Sequence, residues 1–372
     1  MHQHQLTNGL WQAALLCLVA VHHANGADFK PFIAYGASAD SQELVAVRFH
    51  QQDGTVTSQV VQREPLECEG APVLYHKQHQ TLYVASLRAQ DGEQNQLVIF
   101  SVANDGRLTR RQIIPMQHGS AYASFDRSGQ FLLTTSYFEG YVDVYRLGDH
   151  GLSVSPASTT FEGRDKAHSI LLSPDNRFAY VPYVKDNNGM FQYQFDSKSG
   201  RLNPLQPKQA DVPDGIGPRH VAFHPTKPFV FFSNEQQLGA TSYRIGQDGR
   251  LSLVCVAGKL KAEEGLDASD VEITHDGRFL FVGVRDFAGG KRDSVHRYSI
   301  QPNGMLTHLG QVSTDPIPWG LHTAPDRQHL LITAAHGETL TMFEIDNAGG
   351  LTKNAAVKWG RMVRDIAVLE LD

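Results

Sequence analysis

Short apolar runs recur along the chain at a nearly constant interval. Leu82-Tyr83-Val84, Leu132-Leu133-Thr134, Ala179-Tyr180-Val181, Val230-Phe231-Phe232, Leu280-Phe281-Val282 and Leu330-Leu331-Ile332 begin 50, 47, 51, 50 and 50 positions apart. One further step back from Leu82 reaches Phe32-Ile33-Ala34-Tyr35, which makes seven copies. Runs this short, rich in β-branched and aromatic residues and bounded by polar turns, predict strands. A polar hairpin precedes each run, as in Ser173-Pro174-Asp175-Asn176-Arg177 and Thr274-His275-Asp276-Gly277-Arg278. A second hairpin follows, as in Asn104-Asp105-Gly106-Arg107 and Gln247-Asp248-Gly249-Arg250. The Asp-Gly pairs supply the positive φ angles that tight hairpins need.

Each unit therefore reads as four antiparallel strands, and seven such units predict an all-β, seven-bladed β-propeller over residues 27–372. Val363-Arg364-Asp365-Ile366-Ala367-Val368 repeats the layout of the inner strand Pro218-Arg219-His220-Val221-Ala222-Phe223. Phe32, in contrast, begins at a second-strand position. The C-terminal strand is thus expected to complete the first blade, closing the ring without an open edge.

The first residues break the pattern. Residues 1–26 contain no Lys, Arg, Asp or Glu, and residues 10–21 are almost entirely apolar. A run of roughly twelve residues is short of the about twenty that span a bilayer, so 1–26 reads as a signal peptide cleaved before Ala27, with no membrane span. That predicts an exported, periplasmic or secreted protein; without cleavage it would be cytoplasmic. Net charge of −6 and a pI near 6.3 give no reason to expect nucleic acid as a partner. Cys68 and Cys255 fall in different repeats, too far apart around a ring for a disulfide.

Aligned on the apolar runs, two columns carry uneven chemistry. Eleven positions before the runs stand Ala71, Ala121, His168, Arg219, Ser269 and Trp319, with Arg364 in the C-terminal equivalent. Five positions after them stand Ala37, Leu87, Tyr137, Val184, Glu235, Arg285 and Ala335. The first column opens the innermost strand and the second closes its antiparallel neighbour, so both face one mouth of the channel. His168, Arg219, Glu235 and Arg285 come from three consecutive repeats and are expected to converge there. Tyr137 and Arg364 from the same columns, with His220, Asn234 and Asp270 beside them, are candidates for substrate binding. Such a set either seals a polar channel with ion pairs or surrounds an anionic or carbonyl-bearing ligand.

The segment Gly217-Pro218-Arg219-His220-Val221-Ala222-Phe223-His224-Pro225, followed by Phe232-Ser233-Asn234-Glu235, resembles the 6-phosphogluconolactonase-like lactonase family, which includes a carboxy-muconate lactonizing enzyme. The resemblance extends over all seven repeats. It implies an active centre of His168, Arg219, Glu235 and Arg285, the quartet that the columns select. It also implies a small-molecule lactone as substrate. The rim departs from the family at Tyr183-Val184-Lys185-Asp186, at Val284, at Trp319-Gly320 and at Ala334-Ala335.

In lactone hydrolysis Glu235 is the expected base for water. Arg219 and Arg285 would hold the oxyanion or a substrate anion, and His168 would supply the leaving-group proton. No cofactor or metal is expected, because Arg219 and Arg285 would repel a cation from the oxygens of Asn234, Glu235, Asp270 and Asp286. Lys166, Lys185, Lys291 and Arg292 lie in loops at the mouth, either as phosphate ligands or as solvated charge. The alternatives are a non-catalytic binding propeller and a muconate-type cycloisomerase.

Overall fold

The computed structural model describes residues 29–90, 93–258 and 265–371; the expected signal peptide lies outside them. The described residues form seven four-stranded antiparallel sheets arranged as propeller blades. Blades 2 to 7 each take four consecutive strands. Blade 1 sets the C-terminal strand Ala367–Glu370 against Phe32–Ser38, followed by Glu43–Gln52 and Thr55–Pro65. The closing register pairs Phe32 with Glu370 and Tyr35 with Ala367, so the ring closes as the repeat pattern predicted. The only helical segments among the described residues are two single 3₁₀ turns, Asp149–Gly151 and Lys185–Asn187. Cys68 and Cys255 are free thiols.

The core sits between blades, because each sheet must bury both faces against its neighbours. At the closing seam Phe32, Ala34 and Val47 of blade 1 pack with Leu340 and Met342 of blade 7 around the fully buried Trp359 and Val363. Gly36 makes this fit possible: a Cβ there would lie 2.6 Å from Trp359 Cη2. Hydrogen bonds reinforce the seams. Tyr35, Tyr83 and Tyr180 each donate a buried hydroxyl to the hairpin glycine carbonyl of the next blade, at 2.6, 2.6 and 2.8 Å (Gly106, Gly151, Gly249).

One irregularity decides what faces the channel. In blades 2, 5, 6 and 7 the register between the inner strand and its neighbour shifts, at Gly70/Val73, Pro218/Val221, Ala268/Val271 and Pro318/Leu321. Such a bulge sets two residues opposite one and re-aims side chains. In a regular strand Arg219 and His220 would face opposite ways; with the bulge, both line the channel mouth.

Candidate functional site

A cavity of about 300 Å³ opens where the inner strands begin. Its polar wall comes from blades 4 to 6. His168 precedes Leu171–Leu172, Arg219 lies at the start of Pro218–Phe223, Glu235 follows Phe229–Asn234, and Arg285 is near the end of Phe279–Asp286. All four are buried and line the cavity, together with Tyr137, His220 and Arg364.

Glu235 is the hub of an ion-pair cluster. Its carboxylate lies 2.6 Å from Lys185 Nζ, 3.2 Å from Arg219 Nε and 4.0 Å from Arg285 Nη2. Lys185 also reaches Asp267 at 3.1 Å, and Arg285 Nη2 donates to the Ala268 carbonyl at 3.0 Å. Burial alone would raise the Glu235 carboxyl, but Arg285, Arg219 and Lys185 outweigh it and hold the pKa below the ordinary value. Burial and then the facing Arg285 lower Arg219 to about 9, so it remains a cation at neutral pH. Among the described residues, Arg219 Nη1, Arg285 Nε, His168 Nδ1 and His220 Nε2 are buried without a hydrogen-bond partner. Unmatched polar atoms of this kind are costly in a folded interior and concentrate at ligand sites.

His168 sits in a desolvated, cation-rich part of the cavity. Burial first, then Arg219, His220 and Arg285, push its pKa well below the ordinary value. The resting imidazole therefore favours its neutral form at pH 7.

Two other expected contacts are placed differently. Asn234 does not line the cavity. It ends the strand that Glu235 follows and is fully buried, with Oδ1 accepting a hydrogen bond from Thr241 Oγ1 at 2.8 Å. Asp270 does not line the cavity either; its Oδ1 lies 2.6 Å from Nδ1 of His220, which does. Of the four loop cations, Lys185 alone lines the cavity. Lys166 is paired with Asp186 at 2.7 Å and Arg292 with Asp286 at 3.1 Å.

The opposite wall is apolar. Ala71 and Leu87 of blade 2, with Ala121, Tyr122 and Phe138 of blade 3, face Phe287 and Trp319. Trp319 carries three guanidinium groups on its ring: Arg285 at 4.6 Å, Arg364 at 5.3 Å and Arg219 at 5.9 Å from a ring centroid. It thereby joins the apolar wall to the polar one. Arg364 is further held by Glu69 at 3.1 Å.

A family model described as a seven-bladed β-propeller lactonase matches residues 32–363. The chain belongs to that lactonase family. The 6-phosphogluconolactonase of Cronobacter sakazakii is 29% identical over 323 residues, covering 85% of this chain and 92% of that protein. The 6-phosphogluconolactonase of Yersinia enterocolitica is 25% identical over 86% of this chain and 92% of its own length. Among solved structures, a periplasmic gluconolactonase of Pseudomonas aeruginosa matches with a TM-score of 0.78 at 20% identity, covering 92% of this chain and 100% of that one. That likeness is one of fold. Membership makes this chain an enzyme of the lactone-hydrolase class and leaves its substrate and the roles of its residues open.

Several residues of this lactonase's cavity escaped the reading by columns. Phe287 lies two positions beyond Arg285, and period-2 alternation would have set both on one side. Asp267 pairs across the ladder with Arg285. Asp365 follows Arg364 as His220 follows Arg219; burial first, against a hydrogen bond from the Val73 N–H, raises its carboxyl to about 7. Lys185, expected at the mouth among the loop cations, stands outside the columns on a 3₁₀ turn, and its contact with Glu235 had no signal in the sequence.

Proposed function

We propose that this lactonase hydrolyses a sugar or organic-acid lactone without a phosphate group, and does so outside the cytoplasm. The observation that carries the reading is the pair of buried guanidinium groups, Arg219 and Arg285, with unmatched N–H donors at a cavity of small-molecule size. Attack of water on a lactone carbonyl places negative charge on its oxygen. Fixed donors in a water-poor site stabilise that oxyanion without reorganising. Glu235 keeps the two arginines in place and offsets their mutual repulsion. Its carboxylate, held by three cations, is too weakly basic to be the best acceptor for the water proton, so that role passes from Glu235 to a neutral imidazole in the same cavity.

Three features support an unphosphorylated substrate. Lys185 and Arg364 at the cavity are already matched by acidic partners. Tyr122, Phe138, Phe287 and Trp319 offer apolar faces suited to the C–H side of a sugar ring. The charge-free, apolar segment at residues 1–26 supports export. The names of the sequence relatives favour the other reading, a 6-phosphorylated lactone. A pH-stat assay of the mature protein on δ-gluconolactone, its 6-phosphate and muconolactone separates the two. Turnover of the unphosphorylated lactones with higher kcat/KM than the 6-phosphate is expected. Preference for the phosphate would reverse the substrate assignment, and a rate no faster than spontaneous hydrolysis on all three would sink the lactonase reading.

A further inference from the structure

Two imidazoles line the cavity, and their surroundings differ in one respect. His168 touches Tyr137 and His220 by ring edges, at 5.6 and 5.0 Å between centroids, and has no carboxylate partner among the described residues. His220 has one. Its Nδ1 lies 2.6 Å from Asp270 Oδ1, on the inner strand of the next blade.

Asp270 is an ionised acceptor. Besides His220, it takes the backbone N–H of Val271 at 2.8 Å on Oδ1 and that of Leu321 at 2.9 Å on Oδ2. Burial alone would raise its carboxyl, yet His220 and these donors outweigh burial and hold it below the ordinary value. An ionised carboxylate has no proton to donate, so the short contact requires the proton on His220 Nδ1. The other ring nitrogen, Nε2, then carries the lone pair, and it has no hydrogen-bond partner among the described residues. Tyr122 packs against the ring edge at 5.0 Å and limits its rotation.

We propose that His220 is the general base of this site and that Asp270 is the residue that positions it. The inference rests on the lactonase reading above. His220 Nε2 takes a proton from water as the water oxygen forms its bond to the lactone carbonyl carbon. The carbonyl electron pair moves to oxygen, within reach of Arg219 and Arg285. When the tetrahedral intermediate collapses, the ring C–O bond breaks and its electrons stay on the leaving oxygen. The Nε2 proton passes to that alkoxide, leaving the hydroxy acid and a neutral His220. Asp270 holds the tautomer and stabilises the transient imidazolium, while Arg219 and Arg285 keep that cation short-lived.

Two measurements test this on the full mature chain. In wild-type protein at pH 7, two-bond ¹H–¹⁵N correlations should give His220 as the neutral Nδ1–H tautomer, assigned by its loss in His220→Gln. A ring protonated on Nε2, or on both nitrogens, overturns the proposal. With δ-gluconolactone, His220→Gln should lower kcat by about 10²–10⁴-fold, the usual worth of a general base. Gluconate, the product, should still inhibit that variant competitively, because the amide of Gln can donate to Asp270 and the arginines are untouched. Asp270→Asn should also lower kcat and shift the His220 tautomer toward Nε2–H. A folded His220→Gln with near-wild-type kcat overturns the base role alone. Should His220→Gln not fold, Asp270→Asn with wild-type kcat and a changed tautomer does the same. Wild-type protein inactive on every lactone overturns the lactonase reading, and the base role with it, whatever the tautomer.

Discussion

The two walls of the cavity occupy equivalent positions in the same repeat and carry opposite chemistry. In blades 4 to 6 four of the six column positions hold His168, Arg219, Glu235 and Arg285, with Val184 and Ser269 at the other two, whereas in blades 2 and 3 the four positions hold Ala71, Leu87, Ala121 and Tyr137. Both walls are built on the same four-stranded blade, and blades 2 and 5 share the bulge on the inner strand. Sevenfold architecture therefore delivers the positions, and side-chain identity alone divides them into a charged wall and an apolar one. The lesson is that a propeller builds a two-sided site by substitution within a repeat, with no added domain or loop.

The sharpest way to break this comparison is to remove charge from the polar wall. Arg285→Ala should reduce kcat/KM by about 10²–10³-fold, the usual cost of losing one oxyanion donor, while the circular dichroism spectrum stays that of a β-protein. Retained turnover would mean that the wall serves only to seal the channel. Removing the apolar wall should act differently. Trp319→Ala should raise KM by about tenfold and change kcat by less than about threefold, as loss of uniform binding does. A fall in kcat as large as that of Arg285→Ala would show that Trp319 serves chiefly to stack the three guanidinium groups.

A finer test concerns the third cation on Glu235. Lys185→Met removes one of the groups that hold its carboxyl below the ordinary value. The Glu235 pKa should rise, so that its ionised form is lost at higher pH on acidification. The ¹³C carboxyl resonance of Glu235 should accordingly titrate at higher pH than in the wild type; an unmoved titration would mean that Lys185 does not help to hold the carboxylate.

The smallest effect is expected at the other end of the channel. Burial raises the Glu272 carboxyl to about 7, against hydrogen bonds from the Thr323 hydroxyl and N–H. Between the ordinary value and about 7, the unfolded chain has released this proton while the folded chain still holds it, so stability falls as pH rises through that window. Glu272→Gln keeps the acceptor oxygen without the charge. It should raise Tm by about 2 °C at pH 8 and by nothing measurable at pH 4, with turnover unchanged. Equal Tm gains at both pH values would mean that the residue acts through packing.

Much of this was legible in the chain. A period near fifty residues, hairpins with Asp-Gly pairs, and a C-terminal inner-strand segment opposite an N-terminal second-strand start determine seven blades and a closed ring. They do so because strand alternation and hairpin geometry are local properties. The columns also selected four residues that share one cavity, because equivalent positions in a repeat point the same way. Side-chain direction next to a bulge is not local: Arg219 and His220 both reach the cavity, whereas Asn234, which looked like its neighbour Glu235, turns into the blade. Charge state is less local still. Burial first, and then guanidinium groups from two other blades, hold the His168 pKa well below the ordinary value, and His220 gains its carboxylate partner from a strand 50 residues away. The sequence by itself thus determined the scaffold and the charged quartet of the site. Only the tertiary structure decided which imidazole is oriented, which carboxylate is neutralised and which cations are already matched, because those depend on distances between blades that no single repeat contains.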